Sequence, residues 1–154
     1  MQLDAGCCYH LFNRSNAGEV VFKSPDNYLY FLQKYSHYLE PYTVTLAYCL
    51  MPTHFHFCVR QKSEDTAATK NAVGLWLSSY TKALNKRHNR HGSLFQHHTK
   101  ALPVTNERYL LTLLTYIHQN PVRAGLAHTV KDWPYPAIQT WQAIGTGHCP
   151  TERS

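Results

Sequence analysis

Two groupings in this chain stand out as able to do chemistry: the histidines of His54-Phe55-His56-Phe57, and Tyr116 placed four residues ahead of Asn120. On a β-strand alternate side chains point to opposite faces, so His54 and His56 share one face while Phe55, Phe57 and Val59 take the other. Their Cα atoms would then lie about 6–7 Å apart, close enough for both imidazoles to converge on one divalent cation. The chain has eleven histidines, so two exposed strand histidines with no ligand are the ordinary alternative. On a helix Tyr116 and Asn120 lie one turn apart on a common face, distinct from the face of Leu110, Leu114 and Ile117. Pro121 marks Asn120 as the helix end, where its amide oxygen could be a third ligand. Taken singly, a core tyrosine and a capping asparagine are the commoner roles.

The demands of a tyrosine nucleophile tie the two groupings together. A phenol with a pKa near 10 is ionised in only about one molecule in a thousand at pH 7, a handicap of roughly 4 kcal/mol. A cation held by two neutral imidazoles and a neutral amide keeps most of its charge. It can polarise a phosphodiester and stabilise the charge that develops in an in-line displacement. Mg²⁺ or Mn²⁺ suits that task, and two imidazoles move the preference toward Mn²⁺ or other transition ions. Lys82, Lys86 and Arg90 recur every four residues with Arg87 nearby, a stripe that could follow a phosphate backbone or could simply be a solvated helix face. Arg14, Lys100 and Arg123 are further candidates to touch phosphate.

The elements that must carry these side chains are legible in outline. A short strand is expected over residues 8–13, followed by turn residues Asn13 to Gly18. Ser24 and Pro25 open a helix whose apolar face is Tyr28, Phe31, Leu32, Tyr35 and Leu39, closing before Pro41. Residues 42–50 alternate Tyr42, Val44, Leu46, Tyr48 and Leu50 against Thr43, Thr45, Ala47 and Cys49, and the period resumes after Met51-Pro52-Thr53, giving two adjacent antiparallel strands. Val73, Trp76 or Leu77, Tyr80 and Leu84 predict a second helix over 67–90, with Gly92 as its stop. A further strand is expected over 94–102, and Asn106 caps a last helix that ends at Pro121. The order strand, helix, strand, strand, helix, strand, helix is that of an α+β protein. Its first six elements predict a ferredoxin-like antiparallel sheet with two helices on one face, and the seventh is an added C-terminal helix carrying the tyrosine.

Composition is consistent with one domain spanning 1–154, with disorder confined to the ends and above all to the tail after about residue 142. The net charge of +6 and pI of about 9.1 suit a polyanionic partner. Five cysteines, an odd number without CxxC spacing, argue against a disulfide framework or a cysteine zinc site and for a reducing cytoplasm. No basic segment followed by an apolar run opens the chain, and no run approaches 18 apolar residues, so neither secretion nor a membrane partner is expected.

Four segments carry a family resemblance: YHLFNRSNAGEVVF, AYCLMPTHFHFCVR, GSLFQHHTK and YLLTLLTYIHQNPVRAGL. With them the chain resembles the single-tyrosine HUH transposases, most closely the REP-associated tyrosine transposases of bacteria, over about residues 9–141. The resemblance implies His54 and His56 as metal ligands, Asn120 as the third and Tyr116 as nucleophile. It also implies cleavage of single-stranded DNA near imperfect palindromes, leaving a 5′-phosphotyrosine and a free 3′-OH, with strand rejoining and no external energy source. The partner implied is single-stranded or hairpin DNA, met in the cytoplasm at the nucleoid. Relatives near insertion sequences act as homodimers, and REP-associated ones tend to be monomeric. Thr53 stands where the family usually has Asn, and His97-His98-Thr99-Lys100 replaces an aromatic with a basic cluster. Two other readings compete. A non-catalytic hairpin-binding protein would have no use for the intact Tyr116, His54 and His56, and a hydrolytic zinc enzyme would lack a general-base carboxylate in either motif.

Overall fold

The computed structural model describes residues 1–134 and 136–138; the expected frayed tail lies outside the described residues. Strand β1 (Cys8–Arg14) leads through a tight turn to helix α1 (Pro25–Leu39). The hairpin of β2 (Thr43–Met51) and β3 (His54–Gln61) follows, then helix α2 (Thr66–His88), strand β4 (Lys100–Val104), helix α3 (Glu107–Arg123) and a short β5 (Pro136–Ile138). The sheet runs β4-β1-β3-β2-β5 and is antiparallel at every pairing. Its first four strands with α1 and α2 are the ferredoxin-like α+β arrangement that the element order predicts.

Local chemistry sets the helix ends. Pro25 sits in the first turn of α1, where a missing N–H costs nothing. The Asp65 carboxylate accepts from Ala68 N (2.9 Å) to cap α2, and Asn106 Oδ1 accepts from Tyr109 N (2.8 Å) to cap α3. Asn89 ends α2 in the left-handed region at φ 48°, a conformation asparagine tolerates better than most residues.

The sheet has a different neighbour on each face. On one, α1 and α2 bury Phe31, Tyr35, Trp76 and Tyr80 against Tyr9, Leu11, Phe55 and Phe57. The polar ends of the two largest rings are satisfied there: Trp76 Nε1 donates to the Phe31 carbonyl (3.1 Å) and the Tyr80 hydroxyl to the Val21 carbonyl (2.7 Å). On the other face α3 packs Leu113, Leu114 and Ile117 over Leu46, Ala47, Cys49, Met51 and Cys58. The strand alternation therefore sends the His54/His56 side of β3 toward α3 and the Phe55/Phe57 side into the larger core.

Several local expectations need correcting. The β2 pairing shifts between Thr45 and Ala47, and the extra residue, Leu46, exchanges the two faces downstream. Val44 and Leu46 therefore share the α3 side with Ala47, Cys49 and Met51, and Tyr48 and Leu50 turn to the helix pair. No continuous strand spans 94–102: only its last three residues, Lys100 to Leu102, pair with β1 as the start of β4, and before them there is just an isolated Ser15–Phe95 bridge beyond the end of β1. His98 adopts φ 62°, which no ladder accommodates, so β4 starts only at Lys100. Pro121 does not end α3, which continues to Arg123; Pro121 supplies no N–H to the preceding turn, yet its own carbonyl accepts from Leu126 N at 2.9 Å. Cys8, Cys49 and Cys58 are free thiols.

Candidate active site

The two-residue turn Pro52-Thr53 delivers His54 at the first position of β3. This turn is anchored on both carbonyls: Thr53 O accepts from Ser15 N (2.8 Å) and Pro52 O from Val21 N (2.7 Å). His54 and His56 then lie on one face, with ring centroids 5.2 Å apart and the rings nearly perpendicular. Each has its Nδ1 engaged, His54 with Thr53 Oγ1 at 3.1 Å and His56 with His10 Nε2 at 2.9 Å. Among the described residues neither Nε2 meets a hydrogen-bond partner. Burial pushes the His56 imidazole down to about 3, with His10, His54 and Arg14 adding to the effect. Burial lowers His10 to about 4, and burial and then the Arg14 charge lower His54. All three are neutral near pH 7, the form in which an imidazole can ligate a metal.

Helix α3 brings Tyr116 over this strand. The phenol ring meets the His56 ring edge-on, with centroids 5.5 Å apart, and it is 37% exposed at the open side of the helix. Asn120, one turn on, is buried, and its Nδ2 has no hydrogen-bond partner. It lies with Leu113, Leu114 and Ile117 on the covered face of α3, whereas Tyr116 stands at that face's rim. Among the described residues no three His, Cys, Asp or Glu side chains are placed to hold a metal ion. A site at His54 and His56 must therefore take its third donor from another residue type. The orphaned Asn120 amide, one turn from Tyr116, fits that requirement, since its oxygen and nitrogen ends can exchange by a flip.

The remaining basic residues fall into separate groups. Arg14 is exposed and pairs directly with His54 across β1 and β3; Lys100 pairs with Phe12, which in turn pairs with His56. A row across the sheet thus runs Cys49, His56, Phe12, Lys100. Lys82, Lys86 and Arg87 are exposed on α2, on the far side of the sheet, and Lys82 borders an open cleft of about 770 Å³ that the 92–99 loop also lines. Arg123 is exposed at the end of α3.

Arg90 does not extend the α2 stripe, because the helix stops at His88. Its guanidinium is spent inside the protein: Nε and Nη2 donate to the Glu19 carboxylate, Nη1 to Asn85 Oδ1 and the Gly92 carbonyl, and Nη2 also to the Ser93 carbonyl. That uses all five N–H groups of an arginine, so the phosphate contact expected of Arg90 has no donor left to make it.

Sequence reasoning missed His10 and Phe12. Both sit on β1 facing the site, and the Phe12 ring lies 4.5 Å from that of His10 and 5.9 Å from that of His56. Their alternation with Tyr9 and Leu11 was visible, but the β1–β3 register that aims them at His56 was not.

No family model matches the chain. Over 104 residues it is 27% identical to a protein of Haemophilus influenzae described as a REP-associated tyrosine transposase. That match covers 61% of this chain and 58% of the relative's length. In fold it is similar to a solved REP-associated tyrosine transposase bound to a REP hairpin, with a TM-score of 0.70, 16% identity and coverage of 88% of this chain and 79% of the other. Both relatives are REP-associated tyrosine transposases. The resemblance read from the motifs is thus met again in a relative matched over 61% of this chain, and the α+β sheet-and-helix arrangement is that of the solved transposase. No helix among the described residues is long and apolar enough to cross a membrane.

Proposed function

We propose that this chain is a tyrosine transposase that cuts and rejoins single-stranded DNA at hairpin elements, using Tyr116 as the nucleophile. One observation carries the reading: the exposed Tyr116 phenol lies edge-on against His56, 5.5 Å away between ring centroids. Nucleophile and candidate ligand pair therefore lie on the same side of the sheet, with Tyr116 exposed and His56 buried beneath it. A Mg²⁺ or Mn²⁺ ion held by His54, His56 and Asn120 would stabilise the charge that builds on the phosphate oxygens. Tyr116 Oη would attack the scissile phosphorus in line and give up its phenolic proton to solvent, which returns one to the leaving oxygen. The P–O3′ bond breaks, the departing oxygen takes up a proton as a 3′-OH, and the 5′ strand stays on Tyr116 as a phosphodiester. Attack by a 3′-OH reverses the step, and because one phosphodiester replaces another no external energy is consumed. Arg14 and Lys100, exposed beside the histidines, would hold flanking phosphates, and Lys82, Lys86, Arg87 and Arg123 would hold more distant ones.

The test is covalent capture. Incubated with a labelled hairpin oligonucleotide and Mn²⁺, the protein should form a denaturant-resistant adduct whose proteolysis places the phosphate on Tyr116. Tyr116→Phe removes only the phenolic oxygen, so DNA binding should persist while the adduct vanishes. An adduct that survives in Tyr116→Phe would move the nucleophile elsewhere, Tyr109 first, and cleavage without any adduct would make water the attacker.

A further inference from the structure

We propose that His10 is a positioning residue that fixes the tautomer of His56, accepting a hydrogen bond from His56 Nδ1–H so that the bare Nε2 is presented to the metal. The inference rests on the reading of His54 and His56 as ligands. His10 projects from β1 diagonally to His56, two register positions away, since His10 lies opposite Cys58 while Phe12 lies opposite His56. The two imidazoles are 5.1 Å apart between centroids and 27° from parallel, and their Nε2 and Nδ1 atoms are 2.9 Å apart. One proton lies between those two nitrogens. An imidazole ligates a metal through a lone pair, and if Nε2 is to carry it, the proton must be on Nδ1. His10 Nε2 is then the acceptor. Phe12 lies against both rings, tilted on His10 and stacked on His56, and holds the pair in this orientation. Thr53 Oγ1 meets His54 Nδ1 in the same way at 3.1 Å, so both candidate ligands are held from behind with Nε2 to the front. A buried partner behind a ligating histidine is the kind of group whose loss costs about 10–100-fold in metal affinity.

Nitrogen-15 spectra of the histidine-labelled, metal-free protein read the tautomer directly, and Mn²⁺ titration reads its consequence. The expected result is His56 protonated on Nδ1 and bare on Nε2. His10→Leu, which fills the space without an acceptor, should mix the tautomers and weaken Mn²⁺ binding about 10–100-fold. His10→Gln, whose amide oxygen can still accept, should recover most of that loss; circular dichroism confirms that both variants fold. Wild-type His56 protonated on Nε2, or His10→Leu binding Mn²⁺ as tightly as wild type, would overturn the proposal. So would a His10→Gln variant as weak as His10→Leu, which would make His10 a ligand itself. The His54→Ala, His56→Ala double variant separates the two ideas: unchanged Mn²⁺ affinity there removes the ligand reading, and the wild-type tautomer still decides for or against His10.

Discussion

Between about pH 4 and the ordinary histidine value near 6.5, an unfolded chain binds protons at positions 10 and 56 that the folded chain refuses, because burial holds His10 down to about 4 and His56 to about 3. Stability changes with pH in proportion to the protons bound unfolded minus those bound folded. That difference is positive here, so the contribution is whole above about 6.5 and is lost as the pH falls toward the folded values. Urea unfolding in chelator should show stability declining from pH 6.5 to 4, with a shallower decline in a His10→Gln, His56→Gln variant. Equal slopes in the two proteins would show that neither histidine is held neutral. The same residues carry a functional expectation: His54→Ala with His56→Ala should reduce cleavage to background in Mn²⁺ or Mg²⁺ while leaving the fold and part of the hairpin affinity. A double variant that cuts normally would remove the metal assignment.

Along α2 two kinds of basic residue that look alike in the sequence separate. Lys82, Lys86 and Arg87 are exposed, and replacing all three by alanine should change stability by no more than about 0.5 kcal/mol. The same change should weaken hairpin and unstructured single strands alike and flatten the salt dependence of binding. A loss confined to one hairpin sequence would make the stripe a reader of bases. Arg90 should behave in the opposite way. It ties the Glu19 carboxylate to the end of α2 and to the carbonyls of Gly92 and Ser93, so Arg90→Ala should lower stability by about 1–3 kcal/mol in a thermal melt. Nothing in a four-residue spacing distinguishes Arg90 from Lys86, because what decides it is Glu19, 71 positions away. Other readings failed for similar reasons. The period-2 pattern of β3 survived because Phe55, Phe57 and Val59 mark one face and His54, His56 and Arg60 the other. β2 is covered on both faces and carries apolar residues on each, so the alternation carried no mark of the extra residue at Leu46. The Tyr116 and Asn120 spacing was legible from helix geometry alone, but the burial of Asn120 depended on α3 lying across the sheet, a long-range fact with no local signature.

The sheet leaves the molecule with two interiors of unequal weight. Among the described residues the α1/α2 side buries twenty-two apolar side chains, including Trp76, Phe31 and Tyr80, and the α3 side buries nine, none of them aromatic. Apolar burial is the main favourable term in folding, so the two sides cannot be equally hard to open. Native proteins open in cooperative units whose free energies range from near zero to that of global unfolding. Here the boundary between two such units follows the plane of the sheet. Native-state hydrogen exchange should find the amides of α3 opening at lower denaturant than those of α2 and β3. Leu114→Ala should speed exchange in α3 while barely changing α2; identical opening free energies for the two helices would show a single cooperative unit. On that expectation the tyrosine is mounted on the foldon that opens first, while the histidines it faces belong to the one that opens last.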